Sequence, residues 1–341
     1  ILGCGVAGSS LAYFLKLKGY KITIIDELGL AGGLSRTYHY AGHPYEFGPH
    51  VWFWPGGEND PINSVIKELS GDELHYIDRR LYSYIEKDRR KYRYPIHFSS
   101  IDEMPDKDEI YEQLKQHRDD SWKLREDEMP IIGECRFEEY FVAALGQNLY
   151  DKFMKNYTWK MWNIPGNRLK TSMVWADRFR HAYSSSRKGL GLPGYDPLKF
   201  EDHTLGKGIS FQVYPKGGWN VVWDKMIDGC KIVKDAVLKI VDDTKKPYIL
   251  LKSGEKIYFS DYFRVYSTLD MDALWGENTL PYTGRLMIPL LLPDLKKAFP
   301  MSTESLHYSG AEFQSRVTEM KVITKYKSDD TLLLIEVPIL P

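Results

Sequence analysis

The sequence is poor in cysteine and has no long apolar run. Its 341 residues include only three cysteines, Cys4, Cys135 and Cys230, which lie far apart in the chain. An odd count without paired spacing argues against both a disulfide framework and a zinc site. We therefore expect no metal and a reducing, cytoplasmic compartment. No apolar segment reaches the roughly 20 residues that a membrane-spanning helix requires, so we expect no membrane span.

Excess positive charge is also missing. The 46 Lys and Arg residues are balanced by 47 Asp and Glu residues, which gives a formal net charge of -1. Because nucleic-acid binding relies on a basic surface, we expect no nucleic-acid partner, and local groups must bind any phosphate. Aromatic residues are abundant at 14%. Their flat side chains suit stacking on a sugar, base or flavin, although a tyrosine-rich core needs the same composition.

The length and the order of predicted elements indicate an α/β protein with more than one domain. Ile1-Leu2 is typical of the end of a buried strand, Ser9–Lys18 of an amphipathic helix, and Tyr20–Asp26 of a second buried strand. A helix is predicted over 61–69 and a hairpin over Leu81–Tyr94. We expect the chain to begin inside the first strand and to end before the closing segment of the fold.

The middle of the chain differs in composition. Residues 99–135 are strongly charged and carry few branched apolar side chains. Such a segment buries little surface, so it is predicted to be an exposed, partly helical and flexible insertion. A lid or a partner-binding surface is the functional alternative. Residues 136–185 are predicted to be mostly helical, and Gly and Pro make 186–208 typical of a long loop.

The segment between the first strand and the first helix matches G-x-G-x-x-G, with Gly3, Gly5 and Gly8. In this context the glycines permit a tight turn and close backbone approach, so that a pyrophosphate binds at the helix N-terminus. Asp26 ends the second strand about 20 residues further on, where a carboxylate meets ribose hydroxyls. These features predict a dinucleotide site, with a glycine-rich turn that binds no ligand as the alternative.

A second glycine pair, Gly32 and Gly33, follows the second strand. This pair suits a backbone that passes close to the pyrophosphate and ribityl chain of FAD, and nicotinamide sites generally lack such a loop. Arg36 is expected to pair with phosphate, unless it is an ordinary exposed arginine. The predicted cofactor is therefore FAD.

Four further segments resemble the UDP-galactopyranose mutase family, flavoenzymes within the wider amine-oxidase-like FAD proteins. Glu46–Trp52 (EFGPHVW) is similar to the family's Y-G-P/A-H-I-F-H, and Asn156–Trp162 (NYTWKMW) to its Y-T-x-K-Q-W. Tyr214–Trp219 (YPKGGW) resembles P-K-G-G-Y, and Tyr308–Glu319 (YSGAEFQSRVTE) resembles Y-x-D-A-x-x-x-x-R-I-T-E. Together with the glycine-rich start, these matches keep their order through the whole chain.

The resemblance implies a Rossmann-like fold of the two-dinucleotide-binding-domain type, with an inserted helical domain and an antiparallel sheet layer. The sequence divides accordingly into the first part of the FAD domain (1–80), a sheet hairpin (81–98), a mainly helical substrate domain (99–185), a loop returning to the FAD domain (186–230), further FAD-domain strands (231–275) and a substrate-side sheet (276–341).

The resemblance also implies an isomerase. Members of the family convert the pyranose form of a nucleotide sugar of the UDP-galactose type into the furanose, for cell-wall and polysaccharide biosynthesis. Reduced FAD acts there as a nucleophile through flavin N5 rather than as a redox shuttle, so FAD is expected in its reduced form. A homo-oligomer is an open expectation.

Site residues follow from the same resemblance. Arg178 falls where the family places an arginine that clamps the pyrophosphate, with a surface helix charge paired with Asp177 or a glutamate as the alternative. Thr283 stands where the second clamp is usual, so either Arg285 takes that role with a shifted loop or the second clamp is lost. Tyr157 and Trp162 match residues that line the substrate pocket, with packing in the core as the alternative for both.

Two further positions concern the flavin. His50 matches the histidine beside the flavin, although a lone histidine is often structural. Val237, on the predicted strand Asp235–Val241, lies where this fold gives backbone hydrogen bonds to the adenine. His50, Arg178 and Arg285 are therefore the candidates for the reaction itself.

Departures from the family keep two other functions open. Phe53 replaces the second histidine of the H-x-F-H pattern, and His97 stands where an asparagine is usual. An amine-oxidase-like FAD oxidoreductase of the same fold is one alternative, and a non-catalytic nucleotide-sugar binder is the other. The pattern Tyr157, Lys160 and Trp162 favours the mutase, whereas the displaced second arginine favours the alternatives.

Overall fold

The structure, a computed structural model, describes residues 1–53, 60–71, 73–77, 81–94, 96, 98–118, 125, 134–171, 212–243, 245–272, 282–300 and 303–339. The chain divides into two compact units. The first unit comprises Ile1–His50, Ser64–His75 and Tyr214–Pro281, and the second comprises Val51–Asn63, Tyr76–Val213 and Tyr282–Pro341.

Helices and strands are numbered in chain order among the described residues. The helices are α1 (Val6–Leu17), α2 (Pro61–Ser70), α3 (Phe98–Asp102), α4 (Lys107–Gln116), α5 (Phe137–Leu145), α6 (Gln147–Leu149), a π-helix (Tyr150–Lys155), α7 (Asn156–Trp162), α8 (Asn220–Ile227) and α9 (Met320–Thr324). The strands are β1 (Thr23–Asp26), β2 (Tyr38–Tyr40), β3 (His43–Tyr45), β4 (Trp52–Phe53), β5 (Leu74–Ile77), β6 (Leu81–Ile85), β7 (Arg90–Tyr94), β8 (Gln212–Pro215), β9 (Lys231–Lys234), β10 (Val237–Val241), β11 (Tyr248–Leu251), β12 (Lys256–Tyr258), β13 (Gly284–Leu292), β14 (Ser305–Tyr308), β15 (Arg316–Glu319) and β16 (Thr331–Ile339).

The first unit is built around parallel backbone pairing at the start of the chain. Leu2 forms parallel bridges to Ile25 of β1 and to Ser267, and β1 pairs in parallel with β9. Helix α1 connects the Leu2 segment to β1, which is a β-α-β unit. The strand end predicted at Ile1-Leu2 is confirmed at Leu2, which is buried and forms isolated parallel bridges. Helix α1 begins at Val6 rather than at Ser9 because Gly5 is already its extended N-terminal cap.

A second sheet completes the core of this unit. Strands β10, β11 and β12 form an antiparallel sheet, and its apolar side chains pack with those of the parallel segments. The buried members of this cluster are Leu2, Ile25, Ile249, Leu251 and Ile257. Because Leu2 and Ile25 are held between the two sheets, the turn that leaves Leu2 has a fixed position.

The second unit contains a six-stranded sheet with the order β13-β16-β15-β14-β6-β7. Neighbouring strands are antiparallel except for β14 and β6, which are parallel. The hairpin predicted over Leu81–Tyr94 is confirmed as β6 and β7, with Leu81 opposite Tyr94. The mixed α/β architecture with a Rossmann-like first unit is thus confirmed.

The helices of the second unit pack on side chains of the hairpin. Alternate residues Tyr92 and Tyr94 are buried against helical residues that include Phe141 and Phe153. The mostly helical character predicted after residue 136 is confirmed through α7, up to Trp162. The loop predicted over 186–208 lies outside the described residues.

The partly helical character predicted for 99–135 is confirmed by α3 and α4, but the predicted exposure is wrong for the first half of this segment. Ile101 of α3, Met104 of the connecting turn, and Ile110 and Leu114 of α4 are buried in the same core as the hairpin tyrosines. In α4, Ile110 and Leu114 are four residues apart and lie on one buried face, while the charged residues of this helix are exposed. The high average charge concealed this apolar face. Beyond residue 118, this segment is described only at residues 125, 134 and 135.

Candidate functional site

The glycine-rich turn joins the first parallel segment to helix α1. Gly3 has a φ of 91°, and a Cβ there would stand 2.7 Å from Oγ1 of Thr268. A Cβ at Gly8 would overlap the carbonyl oxygen of Gly3. Gly5, in contrast, has open space where its Cβ would be. Gly3 and Gly8 are therefore required by the fold, whereas Gly5 leaves room for a ligand at the helix N-terminus.

The second glycine loop lies against this turn. Gly32 forms a bridge with Gly5, and its N–H donates to the Cys4 carbonyl oxygen at 2.8 Å. A side chain at Gly32 would collide with the indole of Trp223. Gly33 has a φ of 55°, and its Cβ would stand 3.1 Å from the Cα of Gly5. The structure therefore brings the two predicted glycine loops together.

A cavity of about 390 Å³ opens beside these loops within the first unit. Its lining includes Asp26, Gly33, Arg36 and Val237, which the sequence places at the cofactor. Asp26 is the last residue of β1, and Val237 is the first residue of β10. Ligands of parallel α/β sheets bind outside the carboxyl ends of the strands, which is where this cavity lies.

Asp26 is held in place by three backbone donors. Its Oδ2 accepts the N–H of Cys4 at 2.9 Å, and its Oδ1 accepts those of Leu28 at 3.0 Å and Gly29 at 2.9 Å. These bonds fix the carboxylate at the cavity. Because Oδ1 already accepts two of them and Oδ2 only one, Oδ2 has the further lone-pair direction for a ribose hydroxyl. Its neighbour Glu27 is exposed and lies 3.8 Å from Lys252 Nζ, so Asp26 is the better-oriented carboxylate.

Arg36 lines the same cavity but already has acceptors. Its Nη1 donates to the Ala31 carbonyl oxygen at 3.0 Å and to Asp224 Oδ1 at 2.8 Å. Asp224 is about half exposed. A phosphate bound by Arg36 would therefore compete with a partly hydrated carboxylate, which is a weak competitor.

A buried cluster ties the Glu46–His50 loop to two other segments. Glu46 Oε1 accepts hydrogen bonds from Thr37 Oγ1 at 2.8 Å and from the Tyr214 hydroxyl. Thr37 Oγ1 accepts the N–H of Trp219 at 2.9 Å, and Trp219 Nε1 donates to the His50 carbonyl oxygen at 2.8 Å. Burial raises the pKa of Glu46 to about 7, although the two hydroxyl donors act to lower it.

The His50 side chain is half-buried beside its own loop. Its Nδ1 lies 2.9 Å from the Gly48 carbonyl oxygen, which identifies Nδ1 as the protonated ring nitrogen. Gly48 has a φ of 99°, so the loop depends on a glycine at that position. The family-like Gly-Pro-His segment is thus a defined turn that holds the Nδ1 edge of the His50 ring against its own backbone.

The aromatic residues predicted to line a substrate pocket are used by the second unit itself. Tyr157 is buried and stacks on His307, with ring centroids 5.4 Å apart and an interplanar angle of 12°. Trp162 is partly buried and packs against the helical core. Both therefore have the core contacts that were the alternative to substrate binding.

Lys160 holds the loop between β14 and β15. Its Nζ donates to the carbonyl oxygens of Tyr308 at 2.9 Å and Gln314 at 3.1 Å, and it lies 3.5 Å from Glu312 Oε2. Burial lowers the pKa of Lys160, and the Glu312 carboxylate opposes that shift. The lysine of the family-like Y-T-x-K pattern is therefore an internal cross-link between two motif segments.

Arg285 binds the end of helix α7. Its Nη2 donates to the Met161 carbonyl oxygen at 2.8 Å, and its Nε lies 3.5 Å from Glu336. Thr283 Oγ1 donates to the same Met161 carbonyl oxygen at 3.2 Å. Glu336 also accepts from Arg316 Nε at 3.1 Å. Carbonyl oxygens at a helix C-terminus lack partners within the helix, so Thr283 and Arg285 satisfy one of them.

Two positions named from the sequence, Arg178 and His97, lie outside the described residues. Arg178 as the pyrophosphate clamp stays a prediction.

Two sets of interacting residues escaped the sequence analysis. Thr37, Glu46 and Tyr214 form the buried cluster already described. Lys152, in the π-helix, is buried, and its Nζ lies 2.5 Å from Asp88 Oδ2 and 2.9 Å from Asp106 Oδ1. Glu46 stands between the aromatic residues Tyr45 and Phe47, which is a weak local signal of burial, whereas Lys152, between Asp151 and Phe153, offers no such signal. Neither carries a spacing that predicts its partner.

The parts of the chain that the structure describes contain no group of His, Cys, Asp and Glu residues able to hold a metal ion. They also contain no helix that is both long and apolar enough to cross a membrane.

The turn, the second glycine loop and the cavity define a dinucleotide-binding unit. Residues 1–69 match the family described as NAD(P)-binding Rossmann-like domain. The chain as a whole has the mixed α/β fold seen in mutase and amine-oxidase-type flavoproteins.

Particular relatives confirm the resemblance to the mutases and also include oxidoreductases. A probable UDP-galactopyranose mutase of Klebsiella pneumoniae is 23% identical over 80% of this chain and 65% of its own length. The dTDP-fucopyranose mutase of Escherichia coli is 22% identical over 82% of this chain and 69% of its length. The 4,4'-diapolycopen-4-al dehydrogenase of Metabacillus indicus is 22% identical over 97% of this chain and 69% of its own length. The chain thus spans about two thirds of the length of these relatives.

Solved structures give the same picture of the fold. A reduced UDP-galactopyranose mutase superposes with a TM-score of 0.74 at 20% identity, covering 99% of this chain and 73% of that one. A putative protoporphyrinogen oxidase from Exiguobacterium superposes with a TM-score of 0.64 at 16% identity, covering 99% of this chain and 76% of that one. At these identities the likeness is one of fold.

Proposed function

We propose that the protein is an FAD-dependent mutase that converts a nucleotide sugar between its pyranose and furanose forms. The observation that carries this proposal is the junction of two glycine loops at the cavity lined by Asp26 and Val237. The order of mutase-like segments and the two mutases among the relatives support the substrate class.

The chain's residues fit FAD at this junction. Gly5 has open space where a Cβ would block a pyrophosphate, and the backbone of Gly32 and Gly33 lies beside it. Asp26 is oriented to accept ribose hydroxyls, and Val237 offers backbone groups to the adenine. Arg36 supplies positive charge at the same cavity.

When bound and reduced, FAD supplies a nucleophilic N5 for attack on the anomeric carbon. The chain's own task is to position the sugar and to stabilise the departing nucleotide diphosphate. Arg178 is our first candidate for the charge that binds the pyrophosphate, and Arg285 is the second. His50, with its proton on Nδ1, is our candidate for the residue beside the flavin.

An FAD-dependent oxidoreductase is the second candidate function. The specific observation in its favour is that Arg285 donates to Met161 and pairs with Glu336, so a second phosphate clamp would have to share its donors. The dehydrogenase among the relatives matches nearly the whole chain. A non-catalytic nucleotide-sugar binder would retain the sugar site without turnover.

Anaerobic turnover separates these functions. The protein is loaded with FAD, reduced with dithionite and given UDP-galactopyranose, and the products are resolved by chromatography. We expect furanose to form only with reduced flavin and without net electron transfer. Oxygen consumption with a flavin that cycles between oxidised and reduced forms would support the oxidoreductase, and binding without product would support the binder.

The Arg178→Ala variant tests the leaving-group clamp. A charge-assisted bond to phosphate contributes roughly 1.5–3 kcal/mol, so the variant should weaken UDP binding about ten- to a hundredfold and slow turnover. The flavin spectrum should not change. Arg178→Lys should recover only part of the loss because it keeps the charge but loses the planar fork. Unchanged UDP affinity in Arg178→Ala would remove this residue from the site.

A further inference from the structure

The buried carboxyl group of Glu46 has an unusual set of neighbours. Glu46 is 0% exposed, and both of its hydroxyl donors bind the same oxygen, Oε1. Within the described part of the chain, Oε2 has no hydrogen-bond partner. An ionised carboxylate that is removed from water needs donors on both oxygens or a nearby cation. This arrangement therefore favours the neutral acid.

No cation in the described residues compensates a charge at Glu46. Arg36, on the segment of Thr37, is directed to Asp224, and Lys216, on the segment of Tyr214, is exposed. The titratable group in contact with Glu46 is the hydroxyl of Tyr214. Burial raises the pKa of that hydroxyl, and a negative charge on Glu46 raises it further.

Histidines also occur on the elements around the carboxyl group. His50, on the same loop as Glu46, has its Nδ1 against the Gly48 carbonyl oxygen, and His43 is buried on β3. Burial is the main cause that raises the pKa of Glu46 from 4.5 to about 7, and neither histidine contributes to that shift. The pKa direction thus agrees with the geometry.

The cluster joins the segments that form the dinucleotide site. Thr37 follows the Gly32-Gly33 loop. Its N–H donates to Asn220 Oδ1 at 2.9 Å, and Asn220 Nδ2 donates to the Thr37 carbonyl oxygen at 2.8 Å. Thr37 Oγ1 accepts the Trp219 N–H, and a Cβ at Gly218 would stand 2.6 Å from that Oγ1. Because Thr37 Oγ1 accepts from Trp219, its own proton is available to Glu46.

We propose that Glu46 is a positioning residue that carries a proton in the folded protein, and that the neutral carboxyl group holds the Gly32–Thr37, Glu46–His50 and Tyr214–Trp219 segments together at the cofactor. Loss of the proton places an unpaired charge in the cluster and loosens all three segments. The inference rests on the proposed function only for the identity of the cofactor, FAD.

The sign of the pH dependence follows from the neutral folded state. The unfolded chain releases the proton near 4.5, whereas the folded protein retains it to about pH 7. The stabilisation is therefore fully present below pH 4.5 and is lost as pH rises through about 7. Relative to a variant that cannot ionise, the folding equilibrium constant of the wild type should fall on the order of 50-fold between pH 5 and pH 8.

The Glu46→Gln variant removes this titration while keeping the shape of the side chain. Chemical unfolding of the cofactor-free protein is followed from pH 5 to pH 8.5. We expect Glu46→Gln to lose the fall in stability that the wild type shows over this range. The matched control is Glu319→Gln, which replaces another buried glutamate, one bound by the backbone N–H groups of Ala298 and Phe299, and should keep the wild-type profile.

Tyr214→Phe provides a second variant in case the first does not fold. It deletes a donor that favours the ionised form, so the midpoint of the stability loss should move to higher pH. An infrared C=O stretch of a protonated carboxyl should also be present in the wild type at pH 6 and absent from Glu46→Gln. An unchanged pH profile in Glu46→Gln, or the lack of that infrared band, would overturn the proposal.

FAD titration at pH 6 and pH 8.5 tests the link to the cofactor. The wild type should bind FAD more weakly at the higher pH, and Glu46→Gln should bind it equally at both. An affinity that is the same at both pH values in the wild type would overturn the positioning role. Failure to bind FAD at any pH, with the stability profile as expected, would contradict the proposed function while supporting the protonated carboxyl.

Discussion

The dinucleotide junction of the first unit and helix α7 of the second unit both match mutase motifs, yet they differ in what remains available to a ligand. At the junction, Gly5 leaves open space and a cavity of about 390 Å³ lies beside Gly33. On α7, Tyr157 stacks on His307 and Lys160 is bound by two carbonyl oxygens. The first motif leaves open space beside its backbone, whereas the second motif commits its side chains to contacts within its own unit.

The difference reflects what each motif encodes. A glycine pattern specifies backbone conformation, and the chain cannot satisfy that requirement elsewhere. An aromatic or basic side chain serves either a ligand or a neighbouring residue, and a sequence match does not distinguish these uses. The dinucleotide site is therefore better defined by sequence than the sugar site is.

The largest effects are expected from two glycine variants at the dinucleotide junction of the first unit. Gly8→Ala should destabilise the protein by about 3 kcal/mol or more because its methyl group overlaps the Gly3 carbonyl oxygen, which is backbone. Gly5→Ala has room for its methyl group and should change the free energy of unfolding by less than about 1 kcal/mol. Urea unfolding of the cofactor-free protein measures both effects.

The same pair separates the needs of the fold from the needs of the ligand. Gly5→Ala should fold normally and yet weaken FAD binding by at least tenfold, since the methyl group occupies the space beside the helix N-terminus. Undiminished FAD affinity in Gly5→Ala would show that the cofactor does not approach this turn.

Lys160 gives the next largest effect. Lys160→Met leaves Glu312 without its cation and removes two hydrogen bonds, so the free energy of unfolding should fall by about 2–3 kcal/mol. Lys155→Met is the matched control, because Lys155 forms an exposed pair with Asp151 and should cost less than about 0.5 kcal/mol. Equal unfolding free energies for the two variants would show that Lys160 does not anchor the loop.

Arg285 should show a smaller effect. Arg285→Ala loses a bond to the end of α7 and a partly exposed ion pair, which predicts a loss of about 1–2 kcal/mol in stability. UDP binding should weaken by less than in Arg178→Ala, because Arg285 already shares its donors with Met161 and Glu336. A larger effect on UDP affinity than that of Arg178→Ala would instead make Arg285 the main clamp.

Thr283→Val is the mildest of these changes. It removes one of the two bonds to the Met161 carbonyl oxygen, and Arg285 retains the other. We expect a loss of about 0.5–1 kcal/mol, measured by thermal unfolding. A loss as large as that of Arg285→Ala would mean that the hydroxyl and not the guanidinium holds the end of α7.

Local patterns were sufficient for much of the fold. The strand stub at Ile1-Leu2, the helix at Pro61–Ser70 and the hairpin at Leu81–Tyr94 follow from periodicity and turn residues over short windows. The burial of helices α3 and α4 was missed because average charge was weighed above the helical spacing of apolar residues such as Ile110 and Leu114. The period of the apolar residues was the better guide there.

The candidate site was only partly predictable for a different reason. The glycine loops are local and were found, whereas Glu46 and Tyr214 are 168 residues apart and Lys160 is 154 residues from Gln314. Such contacts depend on the tertiary arrangement, and a single sequence carries no local signal for them. The order of the motifs predicted which segments contribute to the site, but it did not predict which side chains of those segments contact each other.

FAD titration of the purified protein tests the central claim most directly. Flavin absorbance and fluorescence are followed as FAD is added, with NAD as the competing dinucleotide. We expect saturable binding of one FAD per chain, a yellow protein with resolved flavin bands, and no displacement by excess NAD. A protein that stays colourless with FAD, or that binds NAD instead, would contradict the assignment of the glycine junction as a flavin site.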